Sequence, residues 1–214
     1  MTQITNDLIF LLLVGGKSIR MGEDKAFLSF GKKSNFVNVL IKKIHVFSPD
    51  FYLSLRNEQL HRYESWLPKH SLIVDQNELV KGPLCGLISA HQFFVENQIK
   101  YNAIFTIAVD TPSIKLKSIK RLIDCYQKNP NISGFFYRSP NGIEPLLGIY
   151  NHLTLEKWSH SIEEKINLEF SLQKKINSLE PNPMFIELPS REERFLKNIN
   201  TKKDFESIDE MMKR

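Results

Sequence analysis

The chain has 214 residues, enough for a single domain with its own core and too few for two of ordinary size. Hydrophobic residues make up 42% and charged residues 25%, which excludes a disordered chain, while two distant cysteines, Cys85 and Cys125, exclude a disulfide framework or a thiolate zinc site. The net charge of +5 is dispersed, with no dense basic block interleaved with aromatics, so no nucleic acid is expected as a partner.

Residues 8–14 are continuously apolar and end at Gly15-Gly16, the pattern of a parallel strand covered on both faces. Asp7 precedes this run and no positive leader does, so it does not read as a secretion signal. At seven residues it is also too short to cross a bilayer. A cytoplasmic protein without membrane attachment is the expectation.

Phe36, Val39, Leu40, Ile44 and Phe47 recur at helical spacing and predict a helix over 36–47. Residues 51–55 and 72–74 are further strand candidates, the latter leading into Asp75. Pro83 can open a helix over 83–95, residues 103–109 form a strand ending at Asp110, and 115–126 is again helical in period. A later strand is expected at 145–150, one or two helices within 153–179, and a short strand at 184–188. A final helix is expected over 201–212, capped by Thr201. Alternation of strands and helices implies a three-layer, Rossmann-like α/β domain with a mostly parallel sheet.

Such sheets bind ligands beyond the carboxyl ends of their strands. Gly15-Gly16, Arg56-Asn57, Asp75 and Asp110 stand at four such ends, so one crevice can collect them. Adjacent glycines let a backbone turn sharply and present its amides to a phosphate, and Arg20 and Lys25 add two cations to the same loop. Together they describe a cradle for a di- or triphosphate. It is not a P-loop, because the required first glycine falls at Leu11, and not a dinucleotide fingerprint, because Lys17 stands where a glycine is needed.

The stretch Leu13-Val14-Gly15-Gly16-Lys17-Ser18-Ile19-Arg20-Met21-Gly22-Glu23-Asp24-Lys25 resembles the L-x-G-G-x-S-x-R-M-G-x-D-K signature of the molybdenum cofactor guanylyltransferase, or MobA-like, family. Asp75 with Gly82-Pro83-Leu84-Cys85-Gly86-Leu87 resembles the D…G-P-L-x-G-L element, and Val109-Asp110-Thr111-Pro112 resembles its D-T-P strand end. Glu144-Pro145-Leu146-Leu147-Gly148-Ile149-Tyr150 resembles the stretch lining the acceptor side, and Asn198-Ile199-Asn200-Thr201 the late N-x-N-T element. Lys202 and Ala108 stand where relatives carry proline and cysteine, and residues 151–190 match no family element.

The resemblance implies a nucleotidyltransferase that moves GMP from GTP to molybdopterin and releases pyrophosphate. Its implied catalytic residues are Arg20, Lys25 and Asp110, with Asp110 holding Mg²⁺, since a hard cation needs an oxygen ligand beside the phosphates. Its implied binding residues are Leu13, Val14, Gly15, Gly16, Ser18, Lys25, Ser54, Arg56, Asp75, Gly82, Asp110, Asn198 and Asn200. The two asparagines offer donors and acceptors together, which suits a pterin's mixed edge. Guanine donors can be met by Asp75 or by a backbone carbonyl near Leu13. A cytidylyltransferase of the same cofactor and a sugar-phosphate nucleotidyltransferase are the enzymatic alternatives, and a nucleotide binder without catalysis is the alternative outside enzymes. Molybdoenzymes or other proteins of cofactor biosynthesis are the implied protein partners.

Overall fold

A computed structural model describes residues 7–16, 25–30, 34–76, 80, 82–166, 168–199, 201, 204 and 206. The expectations for Ser18, Arg20, Gly22, Asp24 and Asn200, and most of the helix expected over 201–212, lie outside the described residues.

The elements follow in chain order as β1 (Leu8–Leu13), α1 (Phe36–Ile44), β2 (Tyr52–Leu55), α2 (Leu60–Glu64), β3 (Leu72–Val74), α3 (Pro83–Glu96) and β4 (Ala103–Ala108). Then come α4 (Leu116–Lys128), β5 (Gly134–Ser139), β6 (Gly142–Asn151), α5 (His152–Glu163), α6 (Leu172–Asn177), β7 (Met184–Glu187) and α7 (Ser190–Glu193). The strands form one sheet in the order β3-β2-β1-β4-β6-β5-β7, and β6 alone runs against the others. The mostly parallel sheet expected from the continuous apolar runs is therefore present.

Alternate residues of β1 face two separate cores. Phe10 and Leu12 pack with α1 and α4, where Leu40, Ile44, Leu122 and Ile123 are buried. Leu11 and Leu13 pack on the other side with α3 and α5, against Leu87, Ile88 and Leu155. Three layers result because β1 is apolar throughout, β4 nearly so, and each face of such strands needs a helical cover.

The register of the central strands aligns their ends. Leu13 lies beside Ser54 on one side and beside Ala108 on the other, and Leu55 lies beside Val74. The chain segments that follow, beginning at Val14, Arg56, Asp75 and Val109, therefore leave the sheet along one edge.

Two elements leave no clear mark in the sequence. Strand β5 contains three aromatic residues in succession without the alternation or continuous aliphatic run that marks a strand, yet Phe135, Phe136 and Tyr137 are all fully buried. Helix α2 is little more than one turn and too short to show a period. The helical stretch expected over 153–179 is two helices, α5 and α6, and the strand expected at 145–150 begins earlier, at Gly142.

The segment after β7 is tied to the rest by a buried carboxylate. Glu192 is 1% exposed and accepts hydrogen bonds from Ser118 (2.7 Å) and from Arg121 Nη2 (3.0 Å), with Lys117 at 3.2 Å. Beyond it, Ser113 Oγ donates to the Phe195 carbonyl and the Ile199 amide donates to the Asp110 carbonyl. Thr201 and Asp204 cap one another reciprocally, so the expected cap is present. Among the described residues no helix is long and apolar enough to cross a membrane.

Candidate active site

A crevice of about 610 Å³ opens where β1, β2, β3 and β4 end. Gly15, Gly16, Arg56, Asp75 and Asp110 all line it, so the four strand ends singled out in the sequence do converge. Leu13, Lys25, Ser54 and Gly82 complete the set of expected residues found there.

Val14 is not on this surface. Its side chain is 1% exposed within the core, its amide donates to the Ser54 carbonyl (2.9 Å), and its own carbonyl accepts from Gln59 Nε2 (3.2 Å). The Val14 side chain thus faces the core, while Leu13 and Gly15 line the crevice. The Leu13 carbonyl is likewise engaged, accepting from Val109 N at 3.0 Å. Of the two candidates for meeting base donors, Asp75 is the one placed with its carboxylate at the crevice.

Asp75 is held by Ser54 and given room by Gly15. Ser54 Oγ donates to its Oδ1 at 2.7 Å, and a Cβ on Gly15 would come within 2.8 Å of its Oδ2. Glycine at position 15 thus leaves room for the carboxylate beside the first loop. Burial pushes the Asp75 carboxyl up to about 6, against the opposing pull of the Ser54 hydrogen bond and the Arg56 charge. Gly86, on the first turns of α3, makes room in the same way: a Cβ there would lie 2.3 Å from Ser54 Oγ and 3.0 Å from Leu13 Cδ2. Gly82, which precedes that helix, has φ +71°, a left-handed backbone that favours glycine.

Asp110 sits on the opposite wall. Its Oδ1 is buried with no hydrogen-bond partner among the described residues, and burial raises its carboxyl above the usual range while the nearby Lys25 charge opposes that rise. A buried acceptor left without a donor is costly, and a hard divalent cation is the partner that would satisfy it. Among the described residues no cluster of three or more histidine, cysteine or acidic side chains gathers to hold a metal. One carboxylate supplemented by phosphate and water oxygens is the donor set that magnesium commonly accepts. The residues present therefore fit a cation shared with a phosphorylated ligand.

Arg56 contributes a second unpartnered group, a buried Nε without a hydrogen bond among the described residues. Gln59, which no motif singles out, holds this region in place. It is 4% exposed and bridges the first loop to the second, donating to Val14 and accepting from Arg56 N at 3.1 Å. Its only signal in the sequence is a polar residue close after a strand, which is too common to be informative.

Asn198 is brought to a different place. It lines a smaller cavity of about 280 Å³ that contains Glu144 and shares Leu146 with the larger crevice. Glu144 and Asn198 thus sit beside the larger crevice, and Leu146 borders both.

Comparison with known proteins shows the family. A family model described as the MobA-like NTP transferase domain matches residues 10–174, which is most of the chain. A molybdenum cofactor guanylyltransferase from Campylobacter jejuni is 27% identical over 193 residues, covering 88% of this chain and 94% of the relative. The crystal structure of molybdopterin-guanine dinucleotide biosynthesis protein A from Archaeoglobus fulgidus superposes with TM-score 0.74 at 19% identity, covering 95% of this chain and 98% of the other. A Mycobacterium tuberculosis protein solved in complex with manganese has TM-score 0.65 at 11% identity, covering 95% and 98%. With the strand-end crevice and the matched family model together, the chain belongs to the MobA-like NTP transferase family and is a nucleotidyltransferase.

Proposed function

We propose that this enzyme transfers GMP from GTP to molybdopterin and releases pyrophosphate. The observation that carries the reading is the pairing of an unsatisfied Asp110 oxygen and a Lys25 charge on one wall with the Asp75 carboxylate on the other, within a single crevice. The choice of GTP and molybdopterin draws on the name carried by relatives such as the Campylobacter jejuni protein.

In this reading Lys25 and Arg56 neutralise the triphosphate, assisted by Arg20 and by the Gly15-Gly16 amides. The role of Arg20, and that of Ser18 on the same loop, rests on the sequence. Asp110 would hold Mg²⁺, and the cation would supply charge withdrawal at the α-phosphate. Asp75 accepts the N1–H and N2–H₂ donors of guanine, while Ser54 fixes its orientation. An oxygen of the acceptor phosphate forms a bond to the α-phosphorus, and the bond from that phosphorus to the bridging oxygen breaks to give pyrophosphate. A phosphate monoester is already nucleophilic near neutrality, so positioning and charge neutralisation suffice and no side-chain base is required. Asn198 and Asn200 are assigned to the acceptor. The chain is read as cytoplasmic and as one domain, with molybdoenzymes or other cofactor-biosynthesis proteins receiving its product.

Pyrophosphate release on molybdopterin, measured with GTP and with CTP, tests the reading. Preference for GTP is expected. Equal or greater turnover with CTP would reassign the nucleotide, and turnover of a sugar phosphate with none on molybdopterin would reassign the acceptor.

A further inference from the structure

Strand β6 carries a large irregularity beside the crevice. Phe136 of β5 pairs with Gly148, but its neighbour Tyr137 pairs with Glu144, so Pro145, Leu146 and Leu147 are pushed out of the β5 ladder. On the other edge Leu147 still pairs with Ile107 of β4. Proline suits this interruption because it has no amide to leave unpaired. The buried Tyr150 hydroxyl donates to the Pro145 carbonyl at 2.7 Å and pins the bulge in place.

This bulge makes Leu146 a partition, with the nucleotide crevice on one side and the 280 Å³ cavity on the other. Thr111, next in the chain to Asp110, also reaches the smaller cavity. A molecule seated there has its near end at the Asp110 wall.

The chemistry of the smaller cavity is unlike that of the crevice. Among its described lining residues Glu144 carries the sole charge, and no lysine or arginine is present. Asn141, Gln173 and Asn198 supply neutral amides, while Leu147 and Leu196 supply apolar surface. The described side-chain hydrogen bond to Glu144 is a long one, from Ser139 Oγ at 3.4 Å. Burial also raises its carboxyl above the usual range. A cavity of this composition does not attract a phosphate. It suits the uncharged end of an acceptor, and its carboxylate demands N–H donors.

We infer that Glu144 is the specificity determinant of the acceptor site, selecting a planar heterocycle that presents two adjacent N–H donors, the 2-amino-4-oxo edge of a pterin, over a polyol. The inference rests on the acceptor assignment proposed above and adds the group that enforces it. The two carboxylate oxygens match two parallel N–H donors, whereas the hydroxyls of a sugar lie out of one plane and have no flat face for Leu147 and Leu196. Leu146 then separates the heterocycle from the nucleotide and leaves the acceptor phosphate at the Asp110 wall.

Binding of free 6-hydroxymethylpterin, measured by calorimetry on wild type, Glu144→Gln and Glu144→Asp, tests this independently of turnover. Glu144→Gln replaces one acceptor by an N–H₂ that opposes the ligand's donors. It is expected to weaken pterin binding about 10- to 100-fold, the scale on which a single hydrogen bond to a charged group contributes. Glu144→Asp is expected to bind with an intermediate affinity. GTP affinity is expected to match wild type in both variants, which also shows that they are folded. Equal pterin binding by wild type and Glu144→Gln would overturn the inference, as would wild-type binding of glucose 1-phosphate in preference to the pterin. Failure of wild type to release pyrophosphate from GTP with molybdopterin would instead count against the proposed reaction, and the pterin titration would still decide the role of Glu144.

Discussion

Ser54 Oγ donates a 2.7 Å hydrogen bond to Asp75 Oδ1, joining the ends of β2 and β3 and fixing a half-buried carboxylate in the wall of the strand-end crevice. Because burial raises this carboxyl to about 6, the group changes state just below physiological pH. Protonation removes an acceptor, so kcat/KM for GTP is expected to fall as pH drops below about 6, and Asp75→Asn is expected to lose that limb and its GTP preference. The folded pKa lies above the unfolded one, so its stability contribution is full below the unfolded value and lost as pH rises through about 6. Thermal melts are therefore expected to show Asp75→Asn gaining on wild type at about pH 7.5 and not at about pH 4.

Gly86→Ala is expected to damage this arrangement through packing. Its new methyl would meet Ser54 Oγ at 2.3 Å, so either α3 or the serine must move. Overpacking of this kind costs about 1–3 kcal/mol, measurable by urea denaturation, and misdirects Asp75. Stability and GTP affinity both equal to wild type would contradict the packing described.

Lys43 reaches from α1 to the loop after Asp110, where its Nζ donates to the carbonyls of Pro112 (2.5 Å) and Ile114 (2.7 Å). Lys43→Met leaves both carbonyls without this donor and is expected to cost about 1–3 kcal/mol by urea denaturation. Burial, reinforced by Lys115, lowers the Lys43 ammonium to about 8, so its charge is disfavoured in the folded state. The Lys43 contribution is then expected to grow as pH rises from about 8 toward the unfolded value, widening the gap between wild type and Lys43→Met.

Glu192 shifts in the sense opposite to Asp75. The Arg121 hydrogen bond above all, with those of Ser118 and Lys117, holds its carboxyl down near 2 against the effect of burial. Its stabilisation is present above the unfolded carboxylate range and lost as pH falls through about 2. Wild type is expected to exceed Glu192→Gln in stability at about pH 7, with the difference closing between about pH 4.5 and pH 2 in acid titrations followed by circular dichroism.

The parallel core is legible in the sequence because β1 and β4 are short, continuous apolar runs that end in glycine or aspartate, a pattern that surface helices and loops do not share. The residues at their ends are legible for the same reason, since the position of a strand end follows from the run before it. The inward turn of the Val14 side chain is not legible, because a motif marks a stretch of chain, whereas the choice between crevice and core depends on alternation within one residue. Gln59 is unreadable as a site residue because its role lies in contacts with Val14 and Arg56, made only by tertiary packing. The bulge at Pro145–Leu147 is a register shift between two strands and leaves little trace in either strand alone. The part of the site nearest the acceptor is accordingly the least visible.

The most direct measurement is single-turnover pyrophosphate release from GTP and molybdopterin by wild type and Asp110→Asn, across a magnesium titration. The substitution keeps the side chain's shape while removing the charge that would hold the cation. A fall of about 10²-fold or more is expected, the usual scale for removing a main electrostatic contact to the transition state, together with a weakened magnesium dependence. Turnover and magnesium dependence equal to wild type would contradict the assignment of Asp110, and with it the crevice as the seat of transfer.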